Sequence, residues 1–97
     1  MIFTQTKIPG CFVIEPERRR DDRGFFARIY CPDEFAAAGI DFTLAQNNLS
    51  RNDKAYTLRG MHFQDPPLAE AKLVQVARGV ILDVAVDLRP DSPAYKQ

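Results

Sequence analysis

Tryptophan is absent from the chain, histidine occurs once, cysteine twice, and 13 basic residues are matched by 13 acidic ones. Each shortage removes a class of function. One histidine, even with Glu70 beyond it, falls short of the three or four ligands of a tight transition-metal site, so no metal is expected. Cys11 and Cys31 are too few for a disulfide scaffold and no N-terminal stretch resembles a signal peptide; both read as reduced thiols in a cytoplasmic protein. A net charge of zero supplies no long-range field to gather nucleic acid or an anionic membrane. Charges interrupt every apolar run well before the ~20 residues that span a bilayer. Glycine-rich phosphate loops and dinucleotide fingerprints are missing, and neither cysteine has a histidine nearby in sequence to activate it.

A chain of 97 residues fits one domain, residues 1–97. At this size about 60 to 65% of the unfolded surface is buried on folding, so stability is marginal and a partner chain is expected.

What the chain does contain is mostly β-prone. An apolar run at 12–14 ends at Pro16, and a second at 25–30 holds Phe25, Phe26, Ile29 and Tyr30. Between them Arg18, Arg19 and Arg20 suggest a basic patch, but acidic residues flank them, which favours a solvated connection with local ion pairing. One short helix is expected over residues 32–38: Pro32 suits the first turn, Asp33 and Glu34 complement the N-terminal dipole, Ala36, Ala37 and Ala38 propagate, and Gly39 terminates. Alternation then predicts strands near 42–49, 56–64, 72–77 and 80–88, with a turn at Asn52, Asp53 and Lys54 and a break at Asp65, Pro66 and Pro67. Arg78 and Gly79 read as a hairpin turn, glycine being free to take positive φ. That hairpin would place Lys72, Val74, Val76, Ile81, Asp83 and Ala85 on one mixed face, as in a ligand cavity. Leu73, Leu82, Val84, Val86 and Leu88 would form the core on the other.

The stretch Leu58-Arg59-Gly60-Met61-His62-Phe63-Gln64 is the first place to look for proton chemistry. With a reference pKa of about 6.5, histidine alone takes and returns a proton near neutrality without a large shift. Strict alternation would put Arg59 and His62 on opposite faces, so a shared site requires a local irregularity at Gly60. Taken singly, His62 also suits a structural role, Lys72 a solvated strand end, and the polar cluster Gln46, Asn47, Asn48 and Ser50 either an edge strand or a hydrogen-bonding pocket.

Five motifs stand in order: Asp22-Arg23-Gly24-Phe25-Phe26, Gln46-Asn47-Asn48-Leu49-Ser50, the segment around His62, Ala71-Lys72-Leu73-Val74, and the run from Gly79 to Arg89 followed by Ser92-Pro93. In order and spacing they resemble the dTDP-4-dehydrorhamnose 3,5-epimerase family over almost the whole chain. The resemblance implies a mainly β, cupin-like jelly-roll barrel, incomplete in this chain, and a homodimer with each site inside a barrel. It also implies a dTDP-sugar substrate in deoxysugar (dTDP-rhamnose) biosynthesis, and no cofactor. His62 matches the family's general base, Lys72 and Arg59 the groups that hold the keto oxygen and enolate charge, and Arg23 a nucleotide-binding arginine. Gln46, Asn47 and Asn48 match the stretch lining the substrate, with Asp83 and Gln64 as supporting neighbours.

Two departures stand out. Arg28 occupies a position where many family members carry glutamate, which reverses a charge near the nucleotide arginine. Family members also continue for nearly as long again past Ser92-Pro93, and that stretch carries the reprotonating tyrosine and the aspartate that orients the histidine; Tyr30, Tyr56 and Tyr95 lie in the wrong motifs to replace it. The chain is therefore expected to be the N-terminal half of a sugar-nucleotide epimerase. The contrasting expectation is a non-catalytic sugar-nucleotide-binding or assembly module. Wash-in of solvent deuterium into a 4-keto sugar nucleotide separates the two.

Overall fold

The computed structural model of the chain describes residues 1–97. It is mainly β, with two small antiparallel sheets and one short helix in its N-terminal part, and no closed barrel. Strand β1 (Ile2–Gln5) pairs with β2 (Phe12–Glu15) in the register Ile2↔Glu15 to Gln5↔Phe12. The connection is held by Thr6 N–H donating to the Cys11 carbonyl at 2.9 Å and by Ile8 N–H donating to Thr6 Oγ1 at 3.1 Å. Gly10, at φ 83, provides a backbone conformation that side chains resist.

Strands β3 (Arg19–Asp21) and β4 (Gly24–Phe26) form a tight hairpin. The Asp21 carboxylate caps its turn, accepting from the Arg23 backbone N–H at 2.8 Å and from Arg23 Nη2 at 2.6 Å. The expected solvated connection is thus partly a strand. Asp21 pairs with Arg23, but Arg18, Arg19 and Arg20 do not form the expected pairs with the acidic residues around them; Arg18 and Arg20 lie over the Phe25 ring at 4.8 and 5.7 Å from the centroid.

Helix α1 (Pro32–Ala37) occupies the expected residues, with proline opening it and Asp33 and Glu34 in its first turn. It ends as the sequence predicts: Gly39 takes φ 78, Ile40 N–H donates to Phe35 O at 2.9 Å and Gly39 N–H to Ala36 O at 3.0 Å. That bond pair is the Schellman closure of a helix C-terminus. Phe35, 2% exposed, is the centre of the core. The rings of Phe3, Tyr30 and Phe42 surround it at centroid distances of 5.3, 5.0 and 5.9 Å. One cluster therefore ties β1 to the helix and to the segment that follows it.

Beyond Phe42 the expectations of regular structure fail. No strand forms over 42–49, 56–64, 72–77 or 80–88, and the second apolar run keeps strand structure through Phe26 alone. The turns are where the sequence puts them: the chain bends at Asp53 and Lys54, Leu68 N–H closes a turn on Asp65 O at 2.8 Å, and Gly79 bends at φ 96. What is missing is pairing. Alternation marks residues able to line a sheet, whereas a strand exists only where another segment supplies facing N–H and C=O groups. The molecule has 22 backbone hydrogen bonds, against about 65 for a closed domain of this length. The expected core face is correspondingly open, with Leu82 91%, Val84 59% and Leu88 52% exposed.

Candidate functional site

Seen from the residues upward, the candidate site is a set of side chains on one extended segment rather than a closed pocket. Gly60 adopts φ 98, so the irregularity expected between Arg59 and His62 is present. The His62 ring folds back against it, and a Cβ on Gly60 would lie 3.3 Å from His62 Nδ1. The Arg59 guanidinium is directed elsewhere: Nε donates to Asn52 Oδ1 at 2.6 Å and Nη2 to the Arg51 carbonyl at 3.3 Å. Thr57 Oγ1 donates to Lys54 O at 2.8 Å, and Arg51 pairs with Asp53 at 2.9 Å, so residues 51–59 form a locally bonded loop.

His62, Arg59, Lys72, Gln64, Asp83, Gln46, Asn47 and Asn48 are all exposed, and no hydrogen bond or ion pair joins any two of them. The mixed face expected of Lys72 and Asp83 does not form, because the hairpin that would align them is unpaired. Arg23 sits apart, at the β3–β4 turn, where hydrogen bonds from its guanidinium and backbone hold the Asp21 carboxyl below the usual carboxylate range. Arg28 pairs with Glu34 at 3.2 Å. Glu34 is held below its ordinary value first by the α-ammonium of Met1, 3.1 Å away, and then by Arg28. The Arg28 charge is therefore engaged within the chain.

Two hollows stand out, of about 320 and 360 Å³. The first is lined by Thr6, Lys7, Ile8, Cys11, Ala85, Ala94 and Gln97, the second by residues around α1 from Pro32 to Thr43. Neither includes a candidate residue. Cys11 and Cys31 are unbridged, and no three His, Cys, Asp or Glu side chains gather closely enough to hold a metal.

Sequence reasoning missed the most organised polar group in the molecule. Asp87, 5% exposed, accepts from the Arg89 backbone N–H at 3.0 Å, from Arg89 Nε at 2.9 Å and from Arg89 Nη2 at 2.8 Å. These bonds, with one from Ser92, hold its carboxyl far below the usual range. The signal was an aspartate two residues before an arginine and five before a serine, embedded in a run that alternation assigned to strand.

A family model described as dTDP-4-dehydrorhamnose 3,5-epimerase matches residues 5–97. The chain belongs to that family. Among its epimerase relatives, the dTDP-4-dehydrorhamnose 3,5-epimerase of Salmonella typhimurium is 42% identical over 98 aligned positions, covering 100% of this chain and 53% of the relative. The 3,5-epimerase of Sinorhizobium fredii is 39% identical, covering 98% of this chain and 49% of the relative. A relative named dTDP-4-dehydrorhamnose 3-epimerase, from Streptomyces niveus, is 47% identical over 91% of this chain and 42% of its own length. The chain thus spans about half the length of the epimerases it matches. No solved structure matches it.

Proposed function

We propose that this chain supplies the N-terminal half of a cupin-like jelly-roll epimerase acting on a dTDP-6-deoxy-4-hexulose. The 4-keto group acidifies the hydrogens on C3 and C5. His62 removes one as a proton, the C–H electron pair moves into an enolate, and Lys72 and Arg59 hold the negative oxygen. Return of a proton to the opposite face of the carbon inverts the centre. A positioned base supplies about 10² to 10⁴ in rate, so the fixed cations carry much of the remainder. Arg23 binds the nucleotide, Gln46, Asn47 and Asn48 line the sugar, and Asp83 and Gln64 support them. No cofactor is needed, and the assembled enzyme is a homodimer.

The observation that carries this reading is the family match over residues 5–97, which takes in every one of those side chains. Their dispersal along an unpaired segment fits a site that closes once the segment gains facing strands. The test is deuterium wash-in from heavy water into the 4-keto sugar nucleotide, read separately at C3 and C5 because one relative is named for C3 alone. Exchange is expected with the chain and is lost in His62→Ala. Full exchange in that variant removes His62 as the base.

A second reading follows from the open apolar face: a non-catalytic binding or assembly module. It takes over if the chain binds a dTDP-sugar or its partner chain and exchanges no hydrogen at either carbon.

A further inference from the structure

The hydrogen bonds and ion pairs of residues 43–86 are all local. That segment carries every candidate site residue except Arg23, and it is held at its two ends. At one end Phe42 packs against Tyr30 and Phe35 and accepts a hydrogen bond from the Tyr30 hydroxyl at 3.1 Å. At the other, Arg89 Nη2 donates to the Pro9 carbonyl at 2.7 Å across 80 residues of sequence. This is the single hydrogen bond between residues 43–97 and residues 1–42.

The second anchor is built with care. The same Nη2 that reaches Pro9 also reaches Asp87 Oδ2, so the nearly buried carboxylate fixes the guanidinium in the plane from which it meets the β1–β2 connection. Asp87 is itself fixed from behind: Lys96 N–H donates to its carbonyl at 2.8 Å, and it forms an isolated parallel bridge with Tyr95. Ser92 N–H donates to Arg89 O at 3.0 Å and Ala94 N–H to Ser92 Oγ at 3.2 Å, rolling residues 89–97 into a compact knot whose Ala94 is 4% exposed. Ala85, Ala94 and Gln97 then share a hollow with Cys11 of the β1–β2 connection.

We infer that Asp87 and Arg89 are positioning residues: they form a clasp on the Pro9 carbonyl that returns the far end of the site-bearing segment to the N-terminal sheet. The positioning part of this rests on the epimerase reading; the closure does not. A lysine cannot replace the arginine fully, since one ammonium does not span the carboxylate and the carbonyl in a fixed plane.

The test labels the thiols of the full chain with a maleimide and measures wash-in on the same samples. In Arg89→Ala, opening of the clasp is expected to raise Cys11 labelling about tenfold, with Cys31, at the start of α1, within about twofold of the parent rate. The maximal wash-in rate falls by more than KM for the sugar nucleotide rises, because Arg89 does not touch the substrate and acts only through the segment that carries the base and the sugar-lining residues. Cys11 labelling at the parent rate overturns the clasp, and a raised Cys11 rate with unaltered wash-in overturns its positioning role. Should Arg89→Ala raise both thiols together, Arg89→Lys replaces it: Cys11 rising alone supports the clasp, and both rising together overturns it. If the parent chain exchanges no hydrogen, the epimerase reading falls and the clasp is judged by Cys11 alone.

Discussion

At Gly60 two features resist a side chain. A φ of 98 is costly for any L-residue, and a Cβ there would press to 3.3 Å on the His62 ring. Gly60→Ala therefore costs the local conformation about 1 to 3 kcal/mol and moves the ring. The expected outcome is a displaced set of His62 ring resonances in the NMR spectrum together with slower wash-in; superimposable His62 resonances would show that the ring does not rest on Gly60. Arg28 poses the opposite question, since its partner Glu34 lies on the helix and not in the candidate site. Arg28→Glu places like charges side by side, so the melting temperature drops, while calorimetric affinity for dTDP is unchanged. An affinity loss of about tenfold or more would place Arg28 on the nucleotide.

Among the elements, the N-terminal ones were legible because their signals are local. Proline, two carboxylates, three alanines and a glycine specify α1 without reference to the rest of the chain, and the Schellman closure at Gly39 follows from that glycine. The turns at Pro66 and Gly79 were legible for the same reason. Strands beyond Phe42 were not, because alternation fixes which face a residue would take and says nothing about whether a neighbour exists to pair with. The candidate site residues share that division: their types and order are in the sequence, and they stand dispersed along a segment that forms no strand. Phe35 carries the element-scale prediction. Phe35→Ala removes the ring that Phe3, Tyr30 and Phe42 enclose, costs about 3 to 5 kcal/mol, and is expected to abolish the helical circular-dichroism signal. Retention of that signal would mean the sheet alone sustains α1.

The clasp gives the same scale a pH dependence. Bonds from Arg89, then from Ser92, hold the Asp87 carboxyl well below its ordinary value of 3.8. A depressed folded-state value means the contribution is complete above the ordinary value and is lost as pH falls below it, through the depressed one. The Lys96 amide, which donates to the Asp87 carbonyl, is therefore expected to keep its chemical shift from neutrality down to about pH 4 and to move only in stronger acid. A transition near pH 6 would assign control of the clasp to another group.

For the whole molecule, surface decides between a finished domain and one that needs covering. The chain exposes 9331 Å², whereas a folded monomer of 11.0 kDa exposes about 5,600 Å². Its radius of gyration is 15.6 Å, against about 13 Å for a compact domain of 100 residues. The excess of about 3,700 Å² per chain, or about 7,400 Å² for two copies, exceeds the roughly 2,000 to 5,000 Å² in total that obligate dimers bury, and Leu49, Leu58, Val80 and Leu82, each 90% exposed or more, contribute to it. The apolar part of that surface favours covering, at roughly 25 cal/mol per Å² before the entropic and desolvation costs of joining two chains are subtracted. Sedimentation velocity is accordingly expected to find a dimer or larger species at micromolar concentration, with the β content by circular dichroism rising on association as residues 43–86 gain partners. A species that stays monomeric at every concentration, with unchanged β content, would show that those residues need the remaining half of the family fold and not a second copy of this one.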